Sequence, residues 1–118
     1  MTTMDLAVTP DPPYYAVIFS SLLSPHDQGY AEAATRMMDL VQSSPGFLAV
    51  DSARGDDRLG ITVAYFRDEE SIRAWRDHVE HTTTRERGRA QWYDAYELRV
   101  AKVERAYGFR RAPADIRP

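Results

Sequence analysis

The chain reads as an α+β domain, a four-stranded antiparallel sheet with its helices on one face, in the order βαββαβ. Three observations predict it. Four stretches are rich in β-branched and aromatic residues, as strands are. Two stretches between them carry apolar residues at helical spacing. Only one short turn with Gly and Asp separates the β-rich pair in the middle, which makes that pair a hairpin. With 118 residues, the chain has room for one domain.

The first strand is Tyr14 to Leu23. Tyr15, Val17 and Phe19 point one way and Ala16, Ile18 and Leu22 the other, so both faces are apolar and both need cover. A helix is then expected from Ser24-Pro25-His26-Asp27. Ser24 suits the cap, Pro25 the first helical position, and Asp27 the positive end of the dipole. Tyr30, Ala33, Ala34, Met37 and Val41 form its stripe, and Ser43-Ser44-Pro45-Gly46 stops it. Phe47 to Ala53 is the second strand, Arg54-Gly55-Asp56-Asp57 a turn, and Leu59 to Phe66 the third strand. In that strand Ile61, Val63 and Tyr65 share one face, and Ala64 and Phe66 the other.

Asp68 caps the next helix, with Glu69 and Glu70 in its first turn and Ile72, Trp75 and Val79 on its inner stripe. A further helical stretch, His81 to Arg87, ends at Gly88. Gln91 to Arg105 is the fourth strand. Trp92, Tyr96, Leu98 and Val100 lie on one face, and the change of pattern places a bulge near Ala101-Lys102. This order is the split βαβ, or ferredoxin-like, arrangement. Residues 14–109 make up the domain. Residues 1–13, ending Pro10-Asp11-Pro12-Pro13, read as a flexible arm and 110–118 as a tail.

The helices cover one face of such a sheet and leave Val, Ile, Tyr and Leu on the other. An apolar face of that size implies a partner, and the simplest is a second copy packed sheet against sheet. A homodimer is therefore expected. The net charge of -3 gives no footprint for nucleic acid. Lys102 is the one lysine among 15 basic residues, but the arginines are scattered rather than grouped. Without cysteine there is no disulfide, thiolate catalysis or Fe–S ligation. No segment approaches the ~20 apolar residues that cross a membrane. Met1 to Pro13 has no basic residue and does not read as a secretory signal, so the expected location is the cytoplasm.

Chemistry concentrates late in the chain. Both tryptophans and two of the three histidines fall within Trp75 to Trp92, a span of 18 residues. His78-x-x-His81 puts two imidazoles on one helix face. That spacing dictates no third ligand, and no metal site is expected.

Several words of the sequence resemble the antibiotic biosynthesis monooxygenase family. They are Ser44-Pro45-Gly46-Phe47, Val63-Ala64-Tyr65-Phe66-Arg67-Asp68-Glu69-Glu70, Ala74-Trp75-Arg76, His81, Gly88-Arg89 and Tyr93-x-x-Tyr96-x-Leu98-x-Val100. The resemblance runs from about Tyr14 to Phe109. It implies a dimeric α/β barrel, in which two copies close their sheets on each other. It also implies oxygenation of phenolic or quinol-like compounds without metal, flavin or haem. Trp75 matches the family's tryptophan on the second helix. Where anthrone-oxygenating members carry asparagine one turn earlier, this chain has Ser71. Haem-degrading members carry an asparagine on strand one, and this chain contains none. Arg85 stands where those members have a histidine.

Oxygenation without a cofactor needs a base, a dry aromatic slot and donors for an oxyanion. The base falls to His81 or His78, beside Trp75. Tyr65, Phe66, Trp92 and Tyr96 are the residues for the slot, and Arg89 or Tyr93 for steadying the anion. Each also has a plain reading. Trp75 on a buried stripe and aromatics on a sheet serve a core equally well, and histidines often cap helices. The expected function is therefore a cofactor-independent monooxygenase acting on a small aromatic or quinol-type molecule. The alternative is a non-catalytic dimer that binds a small hydrophobic ligand, with haem binding third.

Overall fold

The computed structural model describes residues 5–111, the side chain of Val79 excepted. Its elements are β1 (Tyr14–Leu23), α1 (Tyr30–Val41), β2 (Phe47–Arg54), β3 (Leu59–Phe66), α2 (Glu69–Arg76), α3 (Val79–Arg87) and β4 (Tyr93–Val103). A π-helical turn, Gly88–Trp92, joins α3 to β4. The strands pair antiparallel in the order β2-β3-β1-β4. The α+β class and ferredoxin-like order therefore hold, and the βββ register now fixes which side chains share a face.

Val17, Phe19 and Ser21 of β1 pair with Val100, Leu98 and Tyr96 of β4 and with Ala64, Thr62 and Gly60 of β3. Tyr30 of α1 lies over this face. The opposite, outer face carries Ile18 and Leu22 of β1 with Leu59, Ile61, Val63 and Tyr65 of β3. Between sheet and helices, Phe66 and Trp92 are each 1% exposed. Phe66 meets Phe47 edge-on at 5.7 Å.

Four local expectations are corrected. First, α1 starts at Tyr30, not near Pro25, and Ser24 does not cap it. Ser24 is buried and prolongs β1, its N–H donating to Trp92 O at 2.7 Å. Arg58 pins the loop that follows by donating to Leu23 O, Ser24 O and the Asp27 carboxylate. The helix begins only after Gly29, whose φ of 85° suits a residue without Cβ.

Second, Trp75, His78 and His81 do not share one helix. Asp68 does cap α2, accepting from Ser71 N. But α2 ends at Arg76, with Arg73 and Arg76 at its negative end. The helix restarts after His78, and Glu80 lies in the first turn of α3. The carbonyls left at the end of α2 find side chains of α3. Arg76 O accepts from Thr82 Oγ1 and from Arg85, and Trp75 O meets His81. Arg36 of α1 grips Glu80 with two hydrogen bonds of 3.1 and 3.0 Å, tying α3 to α1.

Third, α3 ends at Gly88 as expected, but the chain does not pass directly into a strand there. Gly88 keeps helical angles and leads into the π-helical turn. A Cβ there would stand 2.8 Å from the Tyr93 ring, so close packing calls for glycine. Trp92 consequently belongs to that turn and not to the strand. Its ring enters the core, and its indole N–H donates to Gln28 O at 2.8 Å.

Fourth, the bulge in β4 is at Asp94. Pairing passes from Leu22 with Ala95 to Leu23 with Tyr93, and it runs unbroken past Ala101 and Lys102.

The arm over residues 5–13 is tied down. Ala7 N donates to Asp51 Oδ1 at 2.7 Å, Thr9 Oγ1 to Tyr14 Oη at 2.9 Å, and Asp5 pairs with Arg110 at 2.6 Å. Residues 1–4 of the expected arm and 112–118 of the expected tail lie outside the described residues.

Candidate active site

The break between α2 and α3 folds three predicted residues together. The His81 ring stacks on Trp75 with centroids 4.6 Å apart and planes 14° from parallel. His78 lies 5.6 Å from the same indole. The backbone separates the roles of the two histidines. His81 Nδ1 is 3.0 Å from Trp75 O. A carbonyl only accepts, so Nδ1 carries the proton and, in the neutral ring, the lone pair is on Nε2. His78 Nδ1 instead faces Glu80 N–H at 3.2 Å, capping α3. An amide N–H only donates, so here Nδ1 is the acceptor and the proton sits on Nε2. Burial pushes the His81 pKa below the ordinary value of 6.5, against the Trp75 carbonyl, which acts to raise it, with Arg85 and His78 lowering it further. In this geometry the neutral His81 ring carries its proton on Nδ1, and His78 accepts at Nδ1 as the cap of α3.

A second group lies further along the helix-side face. The Tyr93 ring meets Phe19 at 5.5 Å, Tyr96 at 5.8 Å and Tyr30 at 5.7 Å, and Phe19 meets Tyr96 at 5.3 Å. Burial, then the Tyr30 hydroxyl, hold the Tyr93 phenol far above the usual tyrosine range, although Arg54 pulls the other way. Tyr93 therefore stays a neutral donor. Leu98 and Val100, 53% and 47% exposed, continue the same face and leave its edge open.

The other predicted residues lie apart. Phe66 and Trp92 fill the core. Tyr65 is on the outer face, where it meets Tyr14 edge-on and donates to Asp51 Oδ2 at 3.3 Å. Arg89 is exposed on the π-helical turn. Ser71, at the position of the family's asparagine, is buried. Its hydroxyl donates to Asp68 Oδ1 at 2.6 Å, and its side chain occupies the space a Cβ at Gly46 would need. It is part of a helix cap. Phe19, Tyr30 and Arg54 were not among the predicted site residues. The hairpin register carries the missing signal, because closing it over residues 55–58 sets Arg54 opposite Gly60 and beside Ser21.

An open depression of ≈ 720 Å³, lined by Pro25, His26, Gln28, Arg87, Ala90 and Gln91, lies outside Trp92 and contains none of the predicted residues. Among the described residues no three His, Asp or Glu side chains are grouped to hold a metal ion. No helix among them is long and apolar enough to cross a membrane.

This is a small α+β domain with one sheet, an aromatic helix-side face and a histidine stacked on tryptophan. The chain belongs to the antibiotic biosynthesis monooxygenase family, whose model matches residues 13–87. It is 53% identical over 100 residues to the uncharacterized protein YqjZ of Bacillus subtilis strain 168, covering 85% of this chain and 88% of that one. Two solved structures share the fold. SnoaB, a cofactor-independent oxygenase from Streptomyces nogalater, superposes with a TM-score of 0.69 at 12% identity, over 80% of this chain and 97% of that one. Rv0793 from Mycobacterium tuberculosis gives 0.68 at 14% identity, over 80% and 99%.

Proposed function

We propose that this protein is a cytoplasmic, homodimeric, cofactor-independent monooxygenase acting on a small aromatic or quinol-type compound. One observation carries the reading: His81 is stacked on Trp75 with Nδ1 committed to a carbonyl, which puts the lone pair of the neutral ring on Nε2. Family membership supports the reaction class.

In this reading His81 Nε2 removes a proton from an acidic methylene or a phenol of the substrate. The resulting anion reduces dioxygen and bonds to it. For a methylene substrate, the peroxide anion takes the proton back from His81. The hydroperoxide then loses water, so one oxygen atom ends in a new carbonyl and the other in water. Trp75 holds the imidazole in plane. Its indole borders one end of the substrate slot, and Tyr96 and Tyr93, further along the helix-side face, border the other. The neutral Tyr93 hydroxyl donates to the substrate's oxyanion.

Oxygen uptake over a panel of hydroquinones, naphthols and anthrones tests this. Enzyme-dependent uptake with chelator present supports the reading. Tight binding across the panel without uptake would replace it with the ligand-binding module.

A further inference from the structure

Arg54 is placed in a way the reaction above does not use. It is half-buried at the end of β2, on the helix-side face, lying across Gly60. Its NH1 donates to Arg58 O at 2.6 Å and Ser21 O at 3.3 Å, and its NH2 to Ser21 Oγ at 2.6 Å and Tyr30 Oη at 3.4 Å. All four acceptors are neutral. Arg36, Arg58, Arg67, Arg76 and Arg110 each pair with a carboxylate, whereas among the described residues Arg54 forms no ion pair. Bracing neutral oxygens requires no charge, and an uncompensated cation removed from water is costly. The cost falls when an anion arrives.

The surroundings define that anion. Arg54 Cζ stands 5.6 Å from the centre of the Tyr30 ring, and Tyr30 meets Tyr93, which meets Phe19 and Tyr96. These rings make an apolar wall with two hydroxyls at the guanidinium end. Gly88, against which Tyr93 packs, lies two turns along α3 from His81 and on the same face, about 10 Å away at 1.5 Å per residue. The cluster is thus a separate position from the base.

We infer that Arg54, Tyr30 and Tyr93 form an anion subsite that holds the ionised oxygen of a flat aromatic ligand, with Phe19 and Tyr96 against its ring. Arg54 supplies the charge, Tyr30 and Tyr93 supply hydroxyl donors, and the open edge at Leu98 and Val100 admits the ring. This deepens the oxygenase reading, on which it rests only for the fate of the bound molecule.

The test is calorimetric titration of the full chain with 2-naphthoate and with its neutral counterpart 2-naphthamide. Neither probe depends on oxygen chemistry. Naphthoate is expected to bind roughly tenfold more tightly, the scale of a hydrogen bond to a charged group. Arg54→Gln should remove that preference, and Tyr30→Phe, which keeps the bonds from Arg54 to Ser21 and Arg58, should reduce it several-fold. Tyr65→Phe, on the outer face, should leave it unchanged. If Arg54→Gln fails to fold, Tyr30→Phe decides. Equal affinity for the two probes, or a preference that survives both substitutions, would overturn the subsite. Oxygen uptake without this preference would leave the His81 reading standing alone, and the preference without uptake would leave the subsite standing alone.

Discussion

Two histidines one turn apart in sequence have opposite hydrogen-bond duties, because one backbone partner is a carbonyl and the other an amide. The spacing His78-x-x-His81 contains no trace of this, since it depends on a helix break at Asp77-His78, just before the start at His81 expected from the sequence. The assignment has consequences that can be measured. His81→Ala should lower the rate by about 10² to 10⁴, the usual contribution of a positioned base. His78→Ala should act chiefly on the cap of α3, costing about 1 kcal/mol in denaturant unfolding. Because burial keeps folded His81 below 6.5, the active base form should persist on the acid side of an ordinary histidine. The sign for stability is the reverse. As pH falls through 6.5 the unfolded chain takes up the proton first, so this residue's contribution is lost from there down to its folded value. A pH series of urea midpoints on wild type and His81→Gln would expose the difference. Gly46, with a φ of 79° and Ser71 in the way of any Cβ, should tolerate no substitution, and Gly46→Ala should unfold at markedly lower urea.

At the scale of elements, the strands were the legible part. β1 and β3 have the predicted bounds, and alternation gave the faces of β3 correctly. The same alternation puts Tyr65 and Phe66 on opposite faces, so they cannot line one slot; face parity weighs more than aromatic character. The helix junctions were less legible, because long-range partners decide them. Ser24 looks like a cap in isolation, but Trp92 and Arg58 claim its backbone from far along the chain. The break after Arg76 did leave a local trace, in basic residues followed at once by Asp77 and then Glu80, a charge pattern that ends one helix and opens another. Trp92 was assigned to a strand because nothing local marks a π-helical turn. The packing that resulted should be costly to disturb. Phe66→Ala, at 1% exposure against Phe47, is expected to destabilise the chain by about 3–5 kcal/mol in denaturant titration. Tyr65→Phe should be nearly silent by comparison.

The whole molecule presents one face that the helices cover and one that they do not. Leu22, Leu59 and Ile61, 40–50% exposed, stand together on the outer face next to Ile18 and Val63. Among the described residues, the arm covers the end near Tyr14 and Asp51. We expect a second copy to bury the rest. Sedimentation at low micromolar concentration should then give about twice the chain mass of 13.5 kDa, and a charged substitution such as Ile61→Lys should shift it toward monomer. In the proposed reaction, this fold turns a histidine stacked on tryptophan into the base of an oxygenation that needs no cofactor. The most direct test of that reaction is the rate of oxygen uptake on one accepted substrate, by wild type and His81→Gln, both stripped with chelator. Wild type should stay active and the variant should fall by about a hundredfold or more. Equal rates in the two proteins, or activity that vanishes with the chelator and returns with a metal, would contradict that reaction.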